Sequence, residues 1–161
     1  MANDGNQNAA TDAGGQKEIE LLSFYVGDHE YSVDIMSVRE IRGWTKTTSL
    51  PHSPHFVRGV INLRGTVLPV VDLALRLGLE ADEPVDRNVV IVVDWGGRTV
   101  GLRVNAVSDI LSIPVAELKP PPEIAADASD TFLRALTIVD DRMVRVLDLT
   151  SVMPGAEGAA A

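Results

Sequence analysis

Apolar and polar positions alternate with a period of two through much of the chain, which is the pattern of strands with one covered face. Leu22, Phe24 and Val26 alternate in ELLSFYV, and Tyr31, Val33 and Ile35 alternate in HEYSVDI. These segments flank Gly27-Asp28-His29 and predict a hairpin. NVVIVVD and RTVGLRV flank Trp95-Gly96-Gly97, where the Gly-Gly pair supplies the positive φ values of a two-residue turn. LTIV and MVRVLDL around Asp140-Asp141-Arg142 predict a third hairpin. Helical patterning is sparse. DLALRLGL is one short segment, with Asp72 as its N-cap and Gly78 as its stop. The polar residues 1–17 and the small-residue stretch 154–161 offer little surface to bury, so they read as flexible tails around an ordered domain spanning 18–153.

One stretch breaks the alternation. GVINLRGTVLPVVDL, residues 59–73, is an apolar strand, a polar turn and a second strand apolar on both faces. A strand with one solvated face would alternate. Something must therefore cover the second face of TVLPVVDL, either a neighbouring barrel or a partner. Pro69 donates no ladder hydrogen bond, which predicts an edge or a bulge there.

A weak internal repeat accounts for that second cover. Val33–Ile41 resembles Leu102–Ile110, and Arg58–Leu73 aligns without gaps on Arg134–Leu149. The chain reads as two copies of one small β-barrel plan. A barrel of roughly 60 residues is marginal alone, and two packed together share a core. A strand at their junction is apolar on both sides.

Composition narrows the chemistry. The chain has 161 residues, 45% hydrophobic but only 4% aromatic, so its core is built from Val, Leu and Ile, which favours strands. Net charge is −9 with no Lys/Arg cluster, against nucleic acid and anionic membrane as partners. Cysteine is absent, which fits a reducing compartment and removes thiolate chemistry. The N-terminus has no signal-peptide pattern, and apolar runs such as Val67–Val71 are too short to span a bilayer. The expected product is cytoplasmic. His52 and His55 stand on a Pro-broken loop with no acid or Cys to complete a metal site. Asp72 and Asp148 read as N-caps rather than catalytic acids, and the acidic EADEPVD loop reads as a solvated face. No G-x-S-x-G, P-loop or G-x-G-x-x-G motif occurs. These residues point to a binding module with no catalytic centre, cofactor or metal. An enzyme with an unrecognised site and an oligonucleotide-binding barrel are the competing classes, and the latter lacks its basic, aromatic-dotted face.

LLSFYVGDHEYSVDIMSVREIRG, FVRGVINLRGTVLPVVDL, NVVIVVD…GGRTVGLRVNAVSDILSI and LKPPPE together resemble the CheW family of bacterial chemotaxis coupling proteins, from about Glu18 to Met153. The resemblance implies an all-β fold of two packed five-stranded SH3-like barrels. It implies a non-catalytic adaptor that couples methyl-accepting chemoreceptors to the histidine kinase CheA, recruited from the cytoplasm to membrane-associated receptor arrays. It also implies partners: the CheW-like regulatory domain of the kinase, barrel against barrel, and the receptor's cytoplasmic tip near the junction of the barrels. Val38, Glu40, Val89, Val107 and Ile110 fall at the family's receptor-contact positions, and Gly59, Arg64 and Gly65 in the segment implicated in kinase coupling. CheW-like domains also occur fused within the kinase and, joined to a receiver, in CheV; no such segment is present here, which favours the stand-alone adaptor. A scaffold of another chemosensory-type pathway is the nearest alternative. Arg64 is expected to pair with Glu40 in a fork that fixes receptor-facing and kinase-facing segments together.

Overall fold

The computed structural model describes residues 11–13, 16–121 and 132–155. In chain order the described strands are β1 (Thr11–Ala13), β2 (Gln16–Val26), β3 (His29–Asp34), β4 (Val38–Gly43), β5 (Val57–Leu63), β6 (Thr66–Asp72), β7 (Val89–Trp95), β8 (Arg98–Val104), β9 (Ala106–Pro114), β10 (Leu133–Val139) and β11 (Arg142–Leu147). Single-turn helices α1 (Leu73–Arg76) and α2 (Leu149–Val152) follow β6 and β11. The three predicted hairpins are β2–β3, β7–β8 and β10–β11. Order begins earlier than the sequence pattern indicates: Gln16 and Lys17 already belong to β2, and β1 pairs with them inside the expected tail. Backbone pairing onto an existing strand needs no apolar side chains, so polarity did not prevent it. Of the expected tails, residues 1–10, 14–15 and 156–161 lie outside the described residues.

Two sheets result. One runs β9-β2-β3-β11-β10, with β1 added beside β2, and the other runs β4-β7-β8-β6-β5. Each forms an SH3-like barrel. Strand for strand, β2 to β6 correspond to β7 to β11, so the sequence repeat is real in space. The irregularities repeat with it. A bulge between Val38 and Glu40 on β4 matches one between Val107 and Asp109 on β9. Another between Val57 and Gly59 matches one between Leu133 and Ala135. The parallel pairing of Val70 with Gly101 matches that of Val146 with Ser32.

Neither barrel is one copy of the repeat. The first copy gives β2 and β3 to one barrel and β4, β5 and β6 to the other; the second copy does the converse. The exchange ties the barrels together through chain crossings as well as through packing. Each barrel holds a small interior core: Ile19, Leu21, Leu111, Ile113, Ala135, Val144 and Val146 in one, Ile61, Leu63, Leu68, Val70, Val90 and Val92 in the other. A larger core lies between them and draws Phe24, Tyr31, Val71, Ile91 and Leu147 from both sheets.

This arrangement explains the doubly apolar β6. Leu68 and Val70 fill its own barrel while Val71 joins the shared core, leaving Val67 63% exposed. The parallel ladder to β8 starts only at Val70. At Pro69 the strand therefore has β5 alone as partner, and the missing N–H costs no ladder bond on the other side. No helix among the described residues is long and apolar enough to cross a membrane.

Candidate interaction sites

A single 3-10 turn, Ile35–Ser37, leads into β4, capped by Asp34, which accepts from the Met36 N–H at 2.9 Å. Val38 then pairs with Val93 and Glu40 with Val92, so Arg39 is the bulged residue. An extra residue shifts which side chains face in. Ile41 points to solvent at 47% exposure, while Glu40 and Arg42 are half-buried. Arg64 and Gly65 form the β5–β6 turn with φ of 52° and 87°. Both are positive, as in a type I′ turn. The Gly65 N–H donates to Asn62 Oδ1 at 2.9 Å.

The turn delivers Arg64 to Glu40. Arg64 Nη2 donates to Glu40 Oε1, and Arg42 Nη1 donates to Glu40 Oε2 at 3.2 Å. The expected pair exists, but not as a fork: one carboxylate oxygen serves each arginine. The Arg64 hydrogen bond, opposed by burial and helped by Arg42, holds the Glu40 carboxyl below its ordinary value. A depressed folded value means the cluster stabilises the fold above the unfolded carboxylate's titration. That contribution is lost as pH falls through the folded value.

Beside this cluster lies a groove of about 290 Å³, lined among others by Arg42, Thr48, Val60, Asn62 and Val67. The other barrel carries one of about 370 Å³, lined by Glu117, Lys119, Leu136, Thr137, Ile138 and Met143. The two are repeat equivalents. Thr48 bridges to Val60 in the first exactly as a lone strand would, and Lys119 bridges to Leu136 in the second. Val67 and Met143 hold matching exposed positions. Their neighbouring turns differ in sign: Arg64-Gly65 beside the first, Asp140-Asp141 beside the second, with both aspartates also at positive φ. The sequence singled out neither groove, because its walls come from segments that alternate like any others.

The remaining predicted residues separate by environment. Val38, Val89 and Val107 are partly buried against the core between the barrels, so the structure brings these three to the junction. Ile110 stands apart on β9, 55% exposed. Gly59 has φ of 141°, and a Cβ there would meet the Thr48 carbonyl oxygen at 2.3 Å. Its position is a requirement of the backbone. Asp72 does cap α1, accepting from the Ala74 N–H at 3.1 Å, but it is also fully buried between two arginines. Arg58 Nε donates to it at 2.8 Å, and Arg103 Nη1 lies 3.4 Å away. The acidic loop is exposed but not merely solvated: Asp82 reaches Arg103 at 3.3 Å with its carboxylate, and its carbonyl accepts from Arg58. Among the described residues no group of three His, Cys, Asp or Glu is placed to hold a metal ion.

Fold and grooves define a double-barrel protein with strands exchanged between its halves and an equivalent surface on each. Residues 20–157 match the CheW-like domain family, and the chain belongs to it. It is 51% identical over 142 residues to the chemotaxis protein CheW of Rhizobium meliloti (strain 1021), covering 88% of this chain and 92% of that one. It is 36% identical over 140 residues to the chemotaxis protein CheW of Klebsiella aerogenes, covering 87% and 84%. The crystal structure of the scaffolding protein TtCheW from Thermoanaerobacter tengcongensis superimposes with a TM-score of 0.76 at 28% identity, covering 85% of this chain and 90% of that one. The family is one of chemotaxis scaffold and adaptor proteins.

Proposed function

We propose that this protein is a non-catalytic adaptor that couples chemoreceptors to the histidine kinase CheA, acting in the cytoplasm at receptor arrays. One observation carries the reading beyond family membership. A single chain bears a groove beside the Arg64 turn on one barrel and, apart from it, the valine cluster of Val38, Val89 and Val107 at the junction of the two barrels. That is the construction of a connector between different surfaces. In this reading the regulatory domain of the kinase docks on the barrel of β4 to β8, at the segment of Gly59, Arg64 and Gly65. The receptor tip docks at the junction beside Val38, Val89 and Val107, with Glu40 and Ile110 at the margin. The test is reconstitution with cognate receptor and kinase. Addition of the protein is expected to bring kinase autophosphorylation under receptor control. A kinase equally receptor-responsive without it would refute the reading.

The Glu40–Arg64 pair gives a finer prediction. Arg64→Ala and Glu40→Ala are each expected to leave the melting temperature nearly unchanged, because the Arg64 end of the contact is exposed and a partly solvated pair adds little. Each should weaken receptor control of the kinase. The double variant should be impaired less than the sum, since the second change removes a contact already broken. The measurement is a double-mutant cycle on receptor-controlled kinase activity near neutral pH, where Glu40 is ionised. Additive losses would show that the two residues act separately.

A further inference from the structure

At the seam between the barrels one side chain breaks the internal symmetry. Arg76, the last residue of α1, sits where the second copy has the buried Val152. Its guanidinium stacks over the Phe56 ring, 4.2 Å from the centroid, and over the Phe132 ring at 5.0 Å. These two phenylalanines are themselves repeat equivalents. The Phe56 carbonyl accepts from the Asp72 N–H and the Phe132 carbonyl from the Asp148 N–H, both at 2.8 Å. Arg76 also donates through Nη2 to the Ser151 carbonyl at 2.7 Å and through Nε to the Val152 carbonyl at 3.3 Å. One guanidinium therefore touches the segment before β5, the segment before β10 and the end of α2. The first belongs to one barrel and the other two to the second.

The shared core and the chain crossings hold the barrels together, and apolar burial on its own is non-directional, so a directional contact across the seam narrows the angles they allow. Arg76 is directional. Its flat face takes two rings and its edge takes two carbonyls, a combination lysine cannot make. We propose that Arg76 is a positioning residue that fixes the angle between the two barrels, so that a partner bound at the junction is sensed by a partner bound on one barrel. The proposal deepens the adaptor reading and rests on it for its functional half. Its structural half stands alone.

Both halves are tested in the whole chain. Because the protein has no cysteine, a pair of spin labels can be placed in one chain at Val67→Cys and Met143→Cys, repeat-equivalent exposed positions on different barrels. Electron–electron distance measurements are expected to give one narrow distribution in the parent. With Arg76→Met or Arg76→Lys the distribution should broaden or shift. In reconstituted arrays the same two variants, without labels, should bind isolated kinase domain and receptor tip within about twofold of the parent. They should lose receptor control by roughly two- to thirty-fold, the range of coupling changes seen for residues between sites. Should Arg76→Met fail to fold, Arg76→Lys carries both measurements. An unchanged distance distribution overturns the proposal. So does a loss of coupling matched by equal losses in both binding affinities and in melting temperature, the mark of a merely structural residue. If the parent itself confers no receptor control, the adaptor reading fails, and the distances still decide whether Arg76 sets the angle.

Discussion

Gly59→Ala is expected to melt far below the parent and to disrupt the groove beside Arg64. Gly59 has φ of 141°, in a region that side chains other than hydrogen avoid. Holding alanine there costs about 1–3 kcal/mol. The new Cβ would also lie 2.3 Å from the Thr48 oxygen and 2.7 Å from its carbonyl carbon. Those are backbone atoms, and Thr48 is tied to Val60 by hydrogen bonds of 2.9 Å in both directions. Relief therefore means breaking that bridge or moving the strand, for another roughly 1–3 kcal/mol. Together they should lower the melting temperature by on the order of 10 °C. On the proposed adaptor reading, kinase binding should fall with it, because Thr48 and Val60 are among the walls of the groove beside Arg64. The second copy supplies the control. Ala135 occupies the equivalent bulge without a positive φ, so Ala135→Gly should cost little beyond added chain freedom. Thermal melts of both variants check this. If Gly59→Ala melts within about two degrees of the parent, the close approach to Thr48 is not a constraint.

That glycine also marks the limit of what could be read from sequence. The hairpins were legible because their information is local: alternation on either side of Gly96-Gly97 or Asp140-Asp141 suffices. The doubly apolar β6 was legible because burial on two faces leaves a composition signal, and Val70 and Val71 do enter two different cores. The repeat was legible as similarity. Its exchange of strands between barrels was not, since alternation states that β4 and β9 are strands but not which sheet they join. The bulge at Arg39 was invisible for the same reason, and with it the exposure of Ile41. At the candidate site the Glu40–Arg64 pair followed from placing both residues near one hairpin. Arg42's share in it depended on the shifted register. Nothing local marked the demand on Gly59, because its crowding comes from Thr48, in a different segment. Arg103 left only an arginine in an apolar strand, with nothing nearby to say that its partners were Asp72, Asp82 and Asn88.

Asp72 carries the second large effect, and the repeat again separates its causes. Asp72 and Asp148 cap equivalent helices, each accepting from an N–H two residues on at 3.1 Å. Asp148→Ala removes a cap and the Ser151 hydroxyl's acceptor, for about 0.5–2 kcal/mol. Asp72→Ala removes a cap and also the carboxylate between Arg58 and Arg103. The Arg103 side chain is only 1% exposed, so its charge would remain buried, facing Asn88 at 2.7 Å and the exposed Asp82. Breaking a buried pair from one side costs about 3–5 kcal/mol. Asp72→Asn keeps a good capping residue and should retain most of that loss, which assigns it to charge. Arg103→Met should cost less than Asp72→Asn, because Asp72 then still has Arg58 and the Ala74 N–H. In the Asp72→Asn background, Arg103→Met should recover stability by removing the stranded charge. The acidic loop reports the same chemistry: with Arg103 replaced, Asp82 loses its partner, and amide exchange across residues 80–88 should quicken. Denaturant unfolding of the four variants and the double mutant checks the order. Equal losses for Asp72→Ala and Asp148→Ala would mean that the arginines contribute nothing beyond the cap.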